Sequence, residues 1–288
     1  MHMSLWGRLF FVSIAIASAQ TAAPGQNDYR FPDSQILATQ QKIANYDHPL
    51  RKVVSGGEQK DIKYTFLGSK MLQAGYPSEQ ATIDLPPLPL HNWNEAHIHL
   101  DKHSGTHSIR NTTRTSYLEM MDIWHHRKID YLEFVKIEAL QQDRLQVVTH
   151  PDFDAPVLIK VASFPWEQLS LERESTVYGL LHGSGATPEF LGHVTEGGRV
   201  IGFITEYITE APSVRGRNMR GCLAALRSLH QRGIAHGDAH DGNCLIRKDG
   251  SAVLIDFELS VETWSHVEFE RDLDIISRCI QELSGNPY

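Results

Sequence analysis

Asp238, Asn243 and Asp256 are the residues whose types and spacing could do chemistry. They lie in His236-Gly237-Asp238-Ala239-His240-Asp241-Gly242-Asn243 and in Ile255-Asp256-Phe257-Glu258. An Asn side-chain oxygen and an Asp carboxylate are hard oxygen donors of the kind magnesium takes, usually beside substrate phosphates. A second Asp can orient an attacking hydroxyl and accept its proton. Between the two parts run Cys244-Leu245-Ile246, a polar turn Arg247-Lys248-Asp249-Gly250-Ser251, and Ala252-Val253-Leu254-Ile255. Two apolar runs joined through Asp-Gly read as a hairpin. Such a hairpin returns Asp256 to the end at which Asn243 leaves, so that both could hold one ion. The competing reading is an ordinary loop and hairpin whose polar residues only form turns.

The elements that must position this set can be read outward from it. Asn218 to Arg232 forms an amphipathic helix with Met219, Cys222, Leu223, Leu226 and Leu229 on one face, stopped at Gly233. It delivers the chain into the loop at His236. Upstream, Tyr131 to Ile137 reads as a strand, Ala139 to Arg144 as a turn, and Leu145 to Thr149 as the returning strand. A further strand, Val157 to Ala162, carries Lys160 among aliphatic neighbours, where an inward amine needs an anionic partner and an outward one snorkels to solvent. Trp166 to Leu181 reads as a helix with Leu169, Val177, Tyr178, Leu180 and Leu181 apolar, and with Glu167, Glu172 and Glu174 along it. Phe190 to Thr195 and Arg199 to Thr205 flank a Glu196-Gly197-Gly198 turn. His266 to Leu283 reads as one helix with Phe269, Leu273, Ile276 and Ile280 inward.

The two chemical segments together resemble the catalytic loop, H-R-D-x-x-x-x-N, and the D-F-G metal segment of protein-kinase-like phosphotransferases. Gly237 in the Arg position, His240 after the Asp and Asp-Phe-Glu in place of Asp-Phe-Gly look more like the aminoglycoside/choline-kinase branch. The resemblance covers roughly residues 130–285. It implies an α+β, bilobal fold: a small β-rich N-lobe over 130–206 and a short, mainly helical C-lobe over 207–288. It implies ATP and Mg2+ as cofactors and a hydroxylated small molecule or specific protein as acceptor. By the same resemblance Asp238 is the catalytic base and His240 sits near the γ-phosphate. Asn243 and Asp256 are the metal ligands. Lys160 pairs with the nucleotide phosphates, held by Glu174, with Glu172 as its substitute. Thr205-Glu206-Tyr207-Ile208 looks like the hinge, with adenine bonded by backbone at Glu206 and Ile208. Asp272 supports the catalytic loop. The Ala139–Arg144 loop contains no glycine, whereas protein kinases cover the phosphates with a glycine-rich backbone there. That departure keeps a second function open: a pseudokinase, which binds nucleotide or a partner without turnover. No A-P-E segment follows Glu258, and Gly237 removes the arginine that grips a phosphorylated loop, so control by activation-loop phosphorylation is not expected.

Composition adds bounds. At 288 residues, with 41% hydrophobic and 22% charged residues, the chain has material for an ordinary folded core. A net charge of -8 gives no basic surface for nucleic acid. Residues 1–19 place Arg8 before an apolar run, Leu9 to Ala17, and a small-residue site at Ala17-Ser18-Ala19, as a secretory signal peptide does. No later stretch is long and apolar enough for a membrane span. The expected location is the secretory pathway, with a cytosolic protein from a later start as the alternative. A sequon at Asn111-Thr112-Thr113 is compatible with secretion. Three cysteines, Cys222, Cys244 and Cys279, are too few and scattered for a disulfide framework, which makes Cys222 and Cys244 small core residues.

Residues 20–129 are less regular and read as an extension. Ile36 to Tyr46 suggests a short helix, Lys63 to Gly68 a strand or loop, and Pro86-Pro87-Leu88-Pro89 an extended, polyproline-like stretch. His97, His99, Asp101 and His103 alternate, which on a strand gives either a shared metal face or a solvated one with Ile98 and Leu100 inward.

Overall fold

The computed structural model describes residues 35–40, 50–55, 61–67, 86–89, 91–101, 103–117, 119–141, 144–209 and 219–284. The expected signal peptide at 1–19 lies outside them, as do the second half of the Ile36–Tyr46 helix and the side chains of Met219 and Ile280. The described chain is α+β, with a β-rich part followed by a short, mainly helical one.

The extension is a sheet. Strands β1 (Gln35–Gln40), β2 (Leu50–Ser55), β3 (Asp61–Leu67), β4 (Glu95–Leu100) and β5 (His107–Thr113) lie in that order, with β3 and β4 parallel. Gln35 to Gln40 is therefore strand rather than the start of a helix. Pairing with β2 supplies backbone partners that local helix propensity cannot outweigh. Pro86–Pro89 is without helix or strand, as its prolines require. On β4, Ala96 and Ile98 are buried while His97 and His99 are exposed, which is the solvated-face alternative. Asp101 lies past the strand end and accepts from the backbone of His103 and Ser104, capping the turn into β5.

The lobe that follows is a six-stranded sheet. It comprises β6 (Lys128–Asp130), β7 (Val135–Gln141), β8 (Leu145–Thr149), β9 (Val157–Val161), β10 (Phe190–Glu196) and β11 (Arg199–Glu206), in the order β6-β10-β11-β9-β8-β7. Only β6 runs parallel to its neighbour among these pairs. Two corrections to the sequence reading fall at its edge. Tyr131–Glu133 is a 3-10 turn, because Asp130 and Glu133 form a reciprocal capping box. The next strand then runs on to Gln141, through two register shifts against β8. At Gly197 and Gly198 the β10–β11 hairpin closes with both residues at positive φ, the geometry a two-residue loop needs.

Alternation along β9 decides where Lys160 goes. Val157, Ile159 and Val161 join the cluster with Ile129, Val148, Val194, Ile201 and Ile204 on one face. Lys160 is thereby turned to the other face, which helix α1 (Gln168–Leu180) covers. The buried stripe of α1 is Leu171, Glu174, Ser175, Val177 and Tyr178, spaced as one helical face. Leu169 and Leu180 are exposed instead of inward. Gly202 lets β11 lie close on β9: a Cβ there would come within 2.2 Å of the Lys160 carbonyl oxygen.

The second part has α2 (Met219–His230), β12 (Ile234–Ala235), the hairpin β13 (Cys244–Ile246) and β14 (Ala252–Leu254), β15 (Val261–Glu262) and α3 (His266–Ser284). One core joins Leu171, Tyr178, Phe190 and Phe203 above to Leu226, Leu229, Leu254, Phe257 and Ile276 below. Burying each such side chain contributes about 1.5–3 kcal/mol. Cys222 of α2 and Cys244 of β13 form a disulfide with Cα atoms 6.0 Å apart, a correction to their expected role as free core residues. Their pairing follows from a helix crossing a strand, which sequence spacing does not encode. Cys279 is free. No helix among the described residues is long and apolar enough to cross a membrane.

Candidate active site

The loop from His236 to Asn243 is anchored from below by one carboxylate. Asp272 of α3 is buried; its Oδ2 accepts the His236 N–H at 2.7 Å and its Oδ1 the Gly237 N–H at 3.0 Å. The same Asp272 meets His230 Nε2 of α2 at 3.0 Å, so three elements converge on it. Gly237 has φ +80, and a Cβ there would lie 2.3 Å from the Leu259 carbonyl oxygen. Any residue with a Cβ at this position, arginine included, would collide with the backbone. His236 is buried, and burial lowers its pKa below the usual histidine value; Nε2 meets the Ile255 carbonyl at 3.1 Å. Phe257 packs between His236 and Tyr178, with ring centres 5.1 and 5.3 Å away.

Asp238 is half-buried, and Asn243 fixes its position. Asn243 Nδ2 donates to the Asp238 carbonyl at 2.9 Å and lies 3.4 Å from Oδ2. Asn243 Oδ1 is buried and has no hydrogen-bond partner among the described residues. An unsatisfied buried acceptor is costly in a folded protein, and a cation would satisfy it. The β13–β14 register, with Ile255 N–H donating to the Asn243 carbonyl at 3.0 Å, brings Asp256 to the same end of the hairpin. His240 caps the 3-10 turn Asp241–Asn243: Nδ1 accepts from Gly242 N–H at 2.9 Å. That bond leaves the neutral ring's proton on Nε2, which is 3.7 Å from Asp238 Oδ2.

Asp256 has φ +65, a left-handed backbone rare outside glycine. The turn directs its carboxylate to Lys160, whose Nζ lies 2.8 Å from Asp256 Oδ1 and 2.6 Å from Glu174 Oε2. The strand-borne amine and the loop-borne carboxylate, 96 residues apart in sequence, thus meet directly. Burial opposes the charge on Lys160, but the carboxylates of Glu174, Asp256 and Glu258 outweigh it and raise its pKa above the ordinary lysine value. Burial raises the pKa of Glu174 against the pull of Lys160, and Lys160 outweighs burial at Asp256, whose pKa is lowered. Glu172, the substitute partner, is engaged elsewhere and accepts from Met121 N–H at 2.7 Å.

Glu206 ends β11 with its N–H donated to the Glu189 carbonyl and its carboxylate bound by Arg247 at 2.6 Å. Its side chain is therefore committed to the second part of the chain, and the Arg247 hydrogen bonds lower its pKa. Ile208 follows, half-buried. A cavity of about 250 Å³ between Tyr178, His182, Phe190 and Arg247 has none of Lys160, Asp238, Asn243 or Asp256 in its lining.

Glu258 and Arg144 are the residues the sequence reading missed as site members. Glu258 Oε1 lies 2.8 Å from Lys160 Nζ and 2.7 Å from an Arg144 guanidinium nitrogen. Glu174, Asp256 and Glu258 are the group of acidic residues close enough to share an ion among the described residues. Three carboxylates against the two cations Lys160 and Arg144 leave a net negative site, which suits a divalent cation.

No family model matches the chain, and no curated protein matches it. Among solved structures, the kinase PK-1 of Cydia pomonella granulovirus aligns with a TM-score of 0.38 and 18% identity, over 46% of this chain and 53% of that one. The match spans about half the length of the viral kinase.

Proposed function

We propose that the chain is an ATP- and Mg2+-dependent phosphotransferase of the kinase type, acting on a hydroxyl acceptor. One observation carries the reading: Lys160 Nζ sits within 2.8 Å of both Glu174 and Asp256, so a phosphate-binding amine, its helix partner and a metal-ligand carboxylate share one point. In this reading Asn243 Oδ1 and Asp256 hold magnesium, which neutralises phosphate charge when bound. Asp238 orients the acceptor and takes the proton of its hydroxyl. The hydroxyl oxygen forms the new bond to the γ-phosphorus as the bond to the bridging oxygen breaks, and ADP leaves. Lys160 binds the α- and β-phosphates, and the Nε2 proton of His240 faces the γ-phosphate. Glu206 and Ile208 offer backbone groups to adenine. Most of the rate gain comes from positioning and charge.

The acceptor is a small hydroxylated molecule or a few specific proteins, a choice supported by the short connection from Glu258 to α3, which leaves little platform for a peptide. A secretory-pathway setting is supported by the signal-like composition of residues 1–19 and by the Cys222–Cys244 disulfide, since such bonds persist in oxidising compartments. The test is calorimetry of ATP binding with and without Mg2+, paired with ATP consumption across a library of alcohols. Binding that needs Mg2+ and is lost in Asp256→Asn supports the reading; metal-independent binding unchanged by Asp256→Asn sinks it. A second reading, a nucleotide-binding module without turnover, is favoured by the glycine-free loop at Ala139–Arg144 and by the short C-terminal lobe. Magnesium-dependent binding with no ATP consumption against any acceptor would select it.

A further inference from the structure

We propose that Arg144 is a second phosphate-binding cation of this cleft, and that Glu258 competes with phosphate for the clamp that Arg144 and Lys160 form. The inference deepens the nucleotide-binding reading above and rests on it. It starts from a coincidence of contacts: one oxygen, Glu258 Oε1, receives the Arg144 guanidinium at 2.7 Å and the Lys160 amine at 2.8 Å. Those are lengths of charge-assisted hydrogen bonds. Two cations, one from the β7–β8 turn and one from β9, therefore converge on a single anionic oxygen, which is what a phosphate oxygen requires.

Arg144 is built to stay there. Its backbone carbonyl accepts the Val161 N–H at 2.9 Å, tying it to the strand that carries Lys160. Its guanidinium also donates to Ser170 Oγ at 3.2 Å, and Nε stands 4.0 Å from Glu167 Oε1. That Nε is buried, faces Glu167 and has no hydrogen-bond partner among the described residues. Glu258 is placed as firmly from the other side, where Arg173 donates to its backbone carbonyl at 2.7 Å.

The position of Arg144 answers the missing glycines. A glycine-rich loop holds phosphates with backbone N–H groups, which needs close approach of a bare backbone. Here the hairpin between β7 and β8 ends instead in a guanidinium, whose planar fork matches phosphate geometry. A side chain takes over the work of a loop. Because Glu258 holds the same two cations, incoming phosphate must exchange with that carboxylate, and the neighbouring Asp256 and Glu174 stay on Lys160.

The test is calorimetric binding of three probes: tripolyphosphate without metal, Mg-ATP and adenosine. Arg144→Gln is expected to weaken tripolyphosphate and Mg-ATP by about tenfold or more, and adenosine not at all, as loss of one charged hydrogen bond predicts. Arg144→Lys should recover part of the loss. Glu258→Gln should bind tripolyphosphate several-fold (about 3–10-fold) more tightly, since the competing anion is gone. Arg144→Gln that melts like wild type and binds Mg-ATP like wild type, while Lys160→Met loses it, overturns the clamp and leaves the nucleotide reading standing. Glu258→Gln that weakens tripolyphosphate overturns the competition. Wild type that binds neither ATP nor tripolyphosphate defeats the nucleotide reading, and the clamp with it.

Discussion

On the floor of the cleft, around Asp238, the chain is held by backbone hydrogen bonds to buried groups. Along the outer strand of the β7–β8 hairpin, no residue is buried. The floor has Asp272 beneath two N–H groups, Gly237 against the Leu259 carbonyl, and a disulfide joining the helix before the loop to the strand after it. The hairpin has Val135, Ile137 and Leu140 in solvent, and Arg144 in its turn reaches Glu258. In the proposed function the floor would position a base, which needs a rigid frame, and the hairpin would cover nucleotide, which needs few contacts. The difference teaches that the loop at Asp238 is braced by a buried carboxylate and a disulfide, whereas the outer strand of the hairpin has no such brace among the described residues.

Four substitutions and one treatment can break or sharpen that contrast. The largest effect is expected at Asp238: Asp238→Asn should lower ATP turnover about a thousandfold while calorimetry finds Mg-ATP binding retained. If turnover persists, the base lies elsewhere. Next comes Asp272→Ala, which strands the His236 and Gly237 N–H groups and should cost roughly 3–5 kcal/mol in urea unfolding. Reduction of Cys222–Cys244 opens a loop closed across 22 residues and should cost ~3 kcal/mol, read as a lower melting temperature that Cys222→Ala/Cys244→Ala reproduces. A smaller change is expected from acid. His193 of β10 is fully buried, and burial, aided by His125 and Lys128, lowers its pKa to about 4. Its folded value lies below the unfolded one near 6.5, so the unfolded chain binds more protons between those values. Stability is then complete above about pH 6.5 and falls as pH drops towards 4. In His193→Gln the stability-against-pH curve should be flatter over that window. The smallest effect belongs to the hairpin: Ile137→Thr should change stability by no more than about 0.5 kcal/mol, because the residue is 56% exposed. A cost of several kcal/mol there would mean that the outer strand is as braced as the floor.

Much of the floor was legible. Asp-Gly between two apolar runs makes a hairpin wherever it sits, and the helices Met219–His230 and His266–Ser284 follow from apolar spacing. Glu174 was assigned to Lys160 through the resemblance, with Glu172 as its substitute; helical spacing alone did not separate Glu167, Glu172 and Glu174. Other features were written in local code and missed, such as the Asp130 and Glu133 capping box that turns Tyr131–Glu133 into 3-10 helix. Arg144 and Glu258 left no such trace. Arg144 is an ordinary charged residue in a polar loop, and Glu258 stood out only as the departure from Asp-Phe-Gly; their convergence on one oxygen is what marks them.

The sequence by itself determined the chemical inventory: which side chains can ligate, accept a proton or carry charge, and which short turns present them. Turn and helix signals act over a few residues, so they survive without a fold. Tertiary structure decided what that inventory meets. It turned Lys160 onto Asp256 across 96 residues, paired Cys222 with Cys244 and made a five-stranded sheet of the extension. Those outcomes depend on alternation, crossing and pairing between distant segments, where the energy lies in contacts that no local spacing records.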